Sequence, residues 1–264
     1  MPIPPEILDI LMPWAIAIGL NSVLLTIAWF APKKLLTPAG LVHAWILGTI
    51  LWGTLGWRGY TVMMFYFLVG SAITRVGMAE KEAAGIAEKR SGARGPENVW
   101  GSALIATLCA LGTYTIAVMP SPWTHELLLL LLLGYVASLS TKLSDTCASE
   151  VGKAYGKRTF LITTLQPVAR GTEGAVSLEG TLAGVLGSAA IASVGWAVGL
   201  IGGLSIVICI VAAFIATNLE SVIGATLQSK FDWLTNEVVN VLNTLIGAIA
   251  AILLALLIQT LITK

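Results

Sequence analysis

Long apolar runs recur along the whole sequence, and they constrain the fold more than any other feature. A helix of about 20 apolar residues crosses a bilayer, and shorter runs suffice where neighbouring helices and flanking side chains help. Eight runs qualify, so we predict an all-α, polytopic transmembrane helix bundle that forms one domain over residues 1–264. The predicted spans are Ile10–Phe30, Ala39–Leu55, Tyr60–Val76, Val99–Met119, Leu127–Leu143, Thr181–Ala197, Leu200–Leu219 and Val238–Ile262.

The composition agrees with a membrane protein and argues against a nucleic-acid-binding protein. Apolar residues make up 56% of the chain and charged residues 11%, so polar side chains are too few to cover a water-soluble globule. The net charge of +1 lacks the basic excess expected of a nucleic-acid binder. We therefore expect the lipid bilayer, and no nucleic acid, as a partner, and the sequence leaves open whether the chain forms an oligomer.

The positions of lysine and arginine predict the orientation in the membrane. Basic residues accumulate on the cytoplasmic side of membrane proteins. With eight spans, 13 of the 15 lysines and arginines fall on one side, and only Arg58 and Lys264 fall on the other. We therefore predict that the long charged segments face the cytoplasm or stroma and that both termini lie on the non-cytoplasmic side.

Small residues at every fourth position predict close packing between helices. Gly180, Gly184 and Ser188 form such a series at the start of the sixth predicted span. Small side chains at this spacing let two helix backbones approach each other. We interpret this series as a packing surface rather than a substrate groove.

The first long charged segment, Gly77–Asn98, begins with an amphipathic helical pattern and ends in a glycine- and proline-containing turn. Arg90 and Arg94 are candidates for binding phosphate, because a guanidinium group offers a planar fork of donors. Asn98, at the start of the next span, could complete such a site. The alternative is a solvated connector that lies on the anionic surface of the membrane.

The second charged segment, Ser138–Arg158, gives the stronger signal. Ser144, Asp145 and Ser149 fall on one helical face together with other small or hydroxylated residues. A carboxylate at a membrane boundary is costly unless it lines a polar site, so such residues are functional candidates by default. We predict that Asp145 is catalytic and binds Mg²⁺, a hard cation that takes oxygen ligands alongside substrate phosphates.

Two further charged residues of this segment are candidates. Glu150 is a candidate catalytic carboxylate, although it could share an ion with Asp145 only if the helix broke near Gly152. Lys153, beside two glycines, is a candidate for binding phosphate. The alternative is that Asp145 and Glu150 serve only as structural partners of Lys142 and Lys153.

A glycine-rich loop before the sixth span supplies more candidates for nucleotide binding. It has free backbone amides and hydroxyl groups, which suit the phosphates of a nucleotide. An ordinary re-entrant linker is the alternative interpretation. The candidates in this loop are Gly171, Thr172, Glu173, Gly174 and Ser177.

The third charged segment follows the seventh predicted span. Asn218 and Ser221 share one helical face and are candidates for substrate binding. Glu220 sits at the inner end of the span, and we predict that it is a second catalytic, metal-binding carboxylate.

Four stretches of the sequence resemble one family of membrane proteins, which includes plant phytyl-phosphate kinase and animal transmembrane protein 19. They are AEKRSGARGPENV (Ala87–Val99), SDTCASEVG (Ser144–Gly152), GTEGAVSLEGTLAG (Gly171–Gly184) and NLESVIGATLQ (Asn218–Gln228). The resemblance covers nearly the whole chain, and the cyanobacterial members are the most similar in character. The second stretch is also distantly similar to the signature of membrane enzymes that use CTP.

The resemblance implies a Mg²⁺-dependent isoprenoid phosphate kinase. Its implied reaction transfers a phosphoryl group from CTP, or another nucleoside triphosphate, to phytyl phosphate, giving phytyl diphosphate for tocopherol and phylloquinone synthesis. The implied location is a cyanobacterial plasma or thylakoid membrane, or a chloroplast membrane. The charged segments suit this chemistry, because phosphoryl transfer needs mainly positioning, Mg²⁺ and cationic groups.

Two other functions remain open at the level of sequence. A membrane cytidylyltransferase that acts on a lipid phosphate would attack the α-phosphorus of CTP and release pyrophosphate. A transporter is less consistent with the sequence, because transporters usually hold their polar binding residues near the bilayer midplane. Here nearly every charge is predicted to lie at one face.

Overall fold

The computed structural model describes residues 5–119 and 122–262, without the side chains of residues 5–9, 89 and 91. Lys264, predicted on the outer side, lies outside the described residues. The helices are α1 (Pro5–Phe30), α2 (Pro38–Ile73), α3 (Met78–Ala83), α4 (Pro96–Val118), α5 (Thr124–Tyr155), α6 (Leu178–Ala197), α7 (Gly203–Ile223) and α8 (Asn236–Ile262). Two short strands, β1 (Thr159–Leu161) and β2 (Ala175–Ser177), lie between α5 and α6.

The predicted transmembrane helix bundle is confirmed. Within the described residues, seven helices are long and apolar enough to cross a membrane. Each of the eight predicted apolar runs overlaps one of these helices, and two of the runs, Ala39–Leu55 and Tyr60–Val76, overlap the same helix α2.

The 36-residue helix α2 folds back on itself at Gly56. This residue has non-helical angles, with φ 63° and ψ −158°, in a region that glycine enters at little cost. A Cβ atom would lie 2.3 Å from the Arg94 carbonyl oxygen if added to Gly40, and 2.8 Å from the Arg94 guanidinium if added to Gly70. A straight helix would separate these glycines by about 45 Å. The two halves of α2 therefore form a hairpin, as the second and third predicted spans require.

Helix α5 lies at the centre of the bundle, in contact with α2, α4, α6, α7 and α8. Its side chains from Leu133 to Cys147 are buried on all sides of the helix. Small residues of its neighbours allow this close packing. A Cβ atom added to Gly247 of α8 would lie 2.0 Å from Thr141 Oγ1. The polar residues of α5 are therefore held in fixed positions by their surroundings.

Helix α6 packs against α5 through the small residues that the sequence singled out. A Cβ atom would lie 2.5 Å from the carbonyl oxygen of Ala148 if added to Gly180, and 3.0 Å from that of Ser144 if added to Gly184. Ser188, the third member of the series, is 1% exposed. The predicted close packing of this series is confirmed, and Gly180 and Gly184 also line a cavity at the charged end of the bundle.

The hairpin of β1 and β2 was not predicted, since the sequence indicated helices alone. The strands are antiparallel, and Thr159 pairs with Ser177. Each strand has three residues, too few for the alternating pattern that identifies a strand in a sequence. The hairpin returns the chain from the end of α5 to the start of α6.

The charged segments meet at one end of the bundle. The Arg75 guanidinium donates a hydrogen bond of 3.0 Å to the Lys34 carbonyl, and Arg94 and Leu36 form a backbone bridge. At the opposite end, the rings of Trp14 and Tyr114 pack edge to face. The segments that were predicted to share a side therefore do so, and the assignment of that side to the cytoplasm or stroma stays a prediction.

Candidate active site

A cavity of about 430 Å³ opens at the charged end of the bundle. Its wall is formed by α2, α4, α5, α6, α7, α8 and the loops that carry the charged segments. The structure brings together all the candidates named from the sequence, although this geometry does not test their roles. They are Arg90, Arg94, Asn98, Ser144, Asp145, Ser149, Glu150, Lys153, Gly171, Thr172, Glu173, Gly174, Ser177, Asn218, Glu220 and Ser221.

Asp145 forms a buried ion pair with Lys142, one turn earlier on α5. Lys142 Nζ lies 2.6 Å from Asp145 Oδ2 and 2.6 Å from Asn240 Oδ1 of α8. The exposed fractions of Lys142 and Asp145 are 7% and 8%. This pairing agrees with the alternative interpretation, in which Asp145 is a structural partner of Lys142. It also places a cation directly beside the carboxylate in the cavity wall.

Glu220 brings a second carboxylate to the same cavity from α7. It interacts electrostatically with Asp145 and Glu173, which repel it, and with Lys142 and Lys153, which attract it. A hydrogen bond of 3.4 Å from Thr217 Oγ1 to Ser144 Oγ joins α7 to α5 close by. The carboxylates of Asp145 and Glu220, which belong to different helices, are therefore both attracted by the Lys142 ammonium group.

These carboxylates suit a Mg²⁺ ion that is shared with a phosphorylated ligand. The described residues contain no group of three or more His, Cys, Asp or Glu side chains that could hold a metal by themselves. Mg²⁺ at phosphoryl-transfer sites commonly takes one or two carboxylates and completes its coordination with water and substrate phosphates. Asp145 and Glu220 match that donor set.

Glu150 is held by lysines on both of its oxygens. Lys81 Nζ contacts Glu150 Oε2 and donates a hydrogen bond of 2.7 Å to the Thr74 carbonyl, while Lys153 Nζ lies 3.6 Å from Glu150 Oε1. Helix α5 is unbroken to Tyr155, so the break that a shared ion with Asp145 would require is not formed. Glu150 fixes α3 and α5 together at the edge of the cavity, and its catalytic role stays a prediction.

The two candidate arginines have different partners. Arg90 bonds to the Glu97 carboxylate and lies 3.2 Å from Asn98 Oδ1. Arg94 Nη1 donates a hydrogen bond of 2.8 Å to Tyr66 Oη, and its guanidinium lies 5.1 Å from the centre of the Tyr66 ring. Among the described residues, no carboxylate forms an ion pair with Arg94. Arg94 therefore lines the cavity without an ion-pair partner among the described residues.

The glycine-rich loop packs directly on the end of α7. Gly171 and Gly174 have φ values of 84° and 75°, which side chains rarely adopt. A Cβ atom added to Gly174 would lie 2.6 Å from the Ser221 carbonyl oxygen. The loop thereby brings Thr172 and Glu173 to the cavity wall beside α7.

Several hydroxyl and amide candidates also have local structural roles. Ser177 Oγ accepts a hydrogen bond of 3.1 Å from the Gly180 amide and so caps α6. Ser149 Oγ, Asn218 Nδ2 and Ser221 Oγ each donate to a carbonyl three or four residues earlier in their own helices. These bonds fix the side chains and leave their oxygen lone pairs to accept further bonds.

Many residues of the cavity wall were not among the candidates, and three of them contact a candidate directly: Lys142, Asn240 and Tyr66. The sequence indicates Lys142 only as a structural partner of Asp145, from which it is three residues away. Asn240 belongs to a polar stripe on α8 that could equally have served helix packing. Tyr66 lies within an apolar run, where nothing in the sequence distinguishes it from a core aromatic residue.

Comparison with known proteins gives a family and three informative relatives. The family model described as integral membrane protein DUF92 matches residues 21–248. An uncharacterized membrane protein of Synechocystis sp. is 68% identical over 91% of this chain and 90% of its own length. An uncharacterized membrane protein of Methanocaldococcus jannaschii is 34% identical over 84% of this chain and 87% of its own length.

A plant relative is also similar over most of the chain. Protein VTE6, chloroplastic, of Arabidopsis thaliana is 47% identical over 83% of this chain, and the match spans 65% of the plant protein. No solved structure matches the chain.

Proposed function

This chain belongs to the DUF92 family of integral membrane proteins, and we propose that it is a kinase that phosphorylates phytyl phosphate. The proposed donor is CTP or another nucleoside triphosphate, and the product is phytyl diphosphate for tocopherol and phylloquinone synthesis. The 47% identity to the Arabidopsis protein VTE6 supports a role in the tocopherol pathway, and the family resemblance of the four sequence motifs supports the kinase reaction.

One observation carries the proposal: Asp145 and Glu220 share a cavity at the charged end of the bundle with Arg90, Arg94 and Lys153. Carboxylates suit Mg²⁺, whereas guanidinium and ammonium groups suit phosphate oxygens. A cavity that offers both fits a nucleoside triphosphate bound with Mg²⁺. When bound, Mg²⁺ would neutralise part of the phosphate charge, with Asp145 and Glu220 as its protein ligands.

The remaining candidates would orient the two substrates. Arg94 faces the cavity without a carboxylate partner among the described residues and is proposed to bind a phosphate group, with Arg90 and Asn98 beside it. The backbone amides of the loop at 171–174, with the hydroxyls of Thr172 and Ser177, are proposed to bind the nucleotide phosphates. Ser144, Ser149, Asn218 and Ser221 line the same cavity.

We assign Glu150 a positioning role, because both of its oxygens lie near lysines. The reaction does not require it as a base. A phosphate monoester already carries nucleophilic oxygens, and one of them would attack the γ-phosphorus of the donor. A bond from that oxygen to phosphorus forms, the bond from phosphorus to the bridging oxygen breaks, and the nucleoside diphosphate leaves with the electron pair.

Product analysis tests the proposed reaction. Purified protein in nanodiscs is supplied with phytyl phosphate, CTP and Mg²⁺, and we expect equal amounts of phytyl diphosphate and CDP. Release of pyrophosphate with a CDP-linked lipid would instead identify a cytidylyltransferase. Movement of phytyl phosphate across the membrane with no nucleotide consumed would identify a transporter.

The acceptor is tested in the same assay. Free phytol lacks the phosphate that the cationic groups are proposed to hold, so it should not be converted. Efficient phosphorylation of phytol would show that the enzyme is an alcohol kinase instead.

A further inference from the structure

The cavity is not confined to the charged end of the bundle, because it continues between α6 and α7. Val185 of α6 and Phe214 of α7 both belong to its wall. Val185 lies seven residues beyond the start of α6, which is about 10 Å along the helix axis. Phe214 lies six residues before Glu220, which is about 9 Å along α7. The cavity therefore extends past the carboxylates along α6 and α7 towards the apolar parts of these two helices.

The two facing helix surfaces change from polar to apolar along this extension. From the N-cap Ser177 into α6, the lining residues are Ser177, Gly180, Thr181, Gly184 and Val185, and on α7 they run from Ser221 back to Phe214. In each helix these positions recur every three or four residues, so they lie on one face. A cavity that is polar at one end and apolar at the other matches an amphiphilic molecule.

The apolar end of this extension reaches the outer surface of the bundle. Phe214 lines the cavity and is 47% exposed, while Val211 and Ile215 of α7 are 41% and 39% exposed and do not line the cavity. Phe214 therefore lies at the border between the cavity and the outer surface of α7. At the far ends of α6 and α7, the short connection at 198–202 holds the helices together. An opening between them would therefore lie in the half nearest the charged site. Since these helices cross the membrane, it would open sideways into the lipid.

We propose that α6 and α7 form a lateral portal for the isoprenoid tail of the acceptor, with Val185 and Phe214 at its rim. The proposal rests on the proposed function, because it takes the acceptor to be a single-chain lipid monophosphate. The phosphate stays beside Arg94 and the carboxylates, while the tail leaves the cavity between the two helices and remains in the hydrocarbon of the bilayer. The enzyme thus has no need to lift its acceptor out of the membrane.

The portal makes Val185 and Phe214 determinants of acceptor specificity. Their side chains contact only the tail, so they contribute to binding without contacting the reacting atoms. A change that narrows the portal should weaken the binding of long acceptors and spare short ones that end before the rim. Such a change raises KM and leaves kcat nearly unchanged.

A photoactivatable ligand tests the portal without any need for turnover. The probe is a long-chain alkyl monophosphate with a diazirine in the middle of its tail, bound to the protein in nanodiscs. We expect the main labelled peptides to contain Val185 and Phe214. Excess phytyl phosphate should suppress this labelling, whereas inorganic phosphate should not. Labelling confined to other helices would overturn the portal.

Substitutions test the specificity. In Val185→Trp we expect KM for phytyl phosphate to rise about tenfold, with kcat within about twofold and with no change for isopentenyl phosphate. The matched control is Leu186→Trp, one residue further along α6, where the side chain is 71% exposed and does not line the cavity. Equal effects of the two substitutions would contradict the portal.

The two experiments separate this inference from the proposed function. Suppressible labelling at Val185 and Phe214 in a protein that consumes no nucleotide would support the portal and overturn the kinase. Normal kinase activity with labelling elsewhere would support the kinase and overturn the portal.

Discussion

Lys81 and Glu150 form an ion pair inside the protein, and the exposed fractions of their side chains are 0% and 3%. Lys81 belongs to α3, at the start of the segment that carries Arg90 and Arg94, whereas Glu150 belongs to α5, which carries Asp145. The pair therefore fastens the proposed phosphate-binding arginines to the helix that bears the proposed metal ligand.

Removal of one member of this pair should be far more damaging than removal of both. Lys81→Met leaves the Glu150 carboxylate buried with Lys153, 3.6 Å away, as its remaining ion-pair partner among the described residues, and we expect the free energy of unfolding to fall by about 3–5 kcal/mol. The double variant Lys81→Met with Glu150→Leu should recover much of this loss, since apolar side chains tolerate burial. Thermal unfolding in one detergent measures both. An equal loss in the single and double variants would contradict this account.

The double variant also tests the role of Glu150. If Glu150 only positions α3, turnover of phytyl phosphate should recover together with stability. Stability that recovers without turnover would instead favour the catalytic role predicted from the sequence.

Lys142 should control how strongly the stability of the folded protein depends on Mg²⁺. In Lys142→Met, the carboxylates of Asp145 and Glu220 lose the nearby cation, so the unfolding midpoint should fall when Mg²⁺ is removed. Added Mg²⁺ should raise that midpoint by more than it does in the unsubstituted protein, because a ligand that binds only the folded state stabilises it. Lys230→Met, at an exposed position outside the cavity wall, is the control. Equal responses in the two variants would argue against a metal at these carboxylates.

Asp145→Asn should lower turnover by about a hundredfold or more while the protein still folds, because the amide keeps the size of the side chain and loses the charge that a hard cation requires. Glu220→Gln should behave in the same way. Glu126→Gln, at an exposed position at the start of α5 and outside the cavity wall, should change turnover little. The assay is Mg²⁺-dependent formation of phytyl diphosphate, and near-normal turnover by Asp145→Asn would remove the basis for the metal site.

Cysteine labelling tests the orientation in the membrane. The three native cysteines are buried, so they should contribute little background. Lys157→Cys, exposed at the charged end, should react with a membrane-impermeant thiol reagent only from the cytoplasmic or stromal side. His125→Cys, exposed at the opposite end, should react only from the other side. Reaction of both positions from one side would contradict the bundle topology, and a reversed pattern would contradict the orientation.

Much of the fold could be predicted, because an apolar run of sufficient length indicates by itself a helix that lies within the membrane. The hairpin in α2 followed from two short runs separated by Gly56, Trp57, Arg58 and Gly59, although the helical pattern is nearly continuous there. The strands β1 and β2 could not be predicted, because their three residues acquire a defined structure only by pairing with each other.

The sequence predicted which residues belong to the candidate site, but it did not predict which of them contact one another. Local motifs identified Asp145, Glu220 and Arg94, but their partners depend on which helices become neighbours. Lys142 reaches Asn240, 98 positions later in the chain, and Arg94 bonds to Tyr66, which lies in a mainly apolar stretch of α2. Such pairings follow from the packing of the bundle, which no single segment encodes.

The spacing of Lys142 and Asp145 has a consequence for the order in which this protein is assembled in the membrane. They lie three residues apart on one helix, so they can neutralise each other as soon as α5 forms, before any later helix has been synthesised. Glu220 is the sole charged residue of α7 and has no such neighbour in its own helix. An unpaired charge within a membrane helix is costly. We therefore expect α5 to enter the bilayer with Asp145 already neutralised by Lys142. When α7 is inserted later, these charges of α5 are already in place to interact with Glu220.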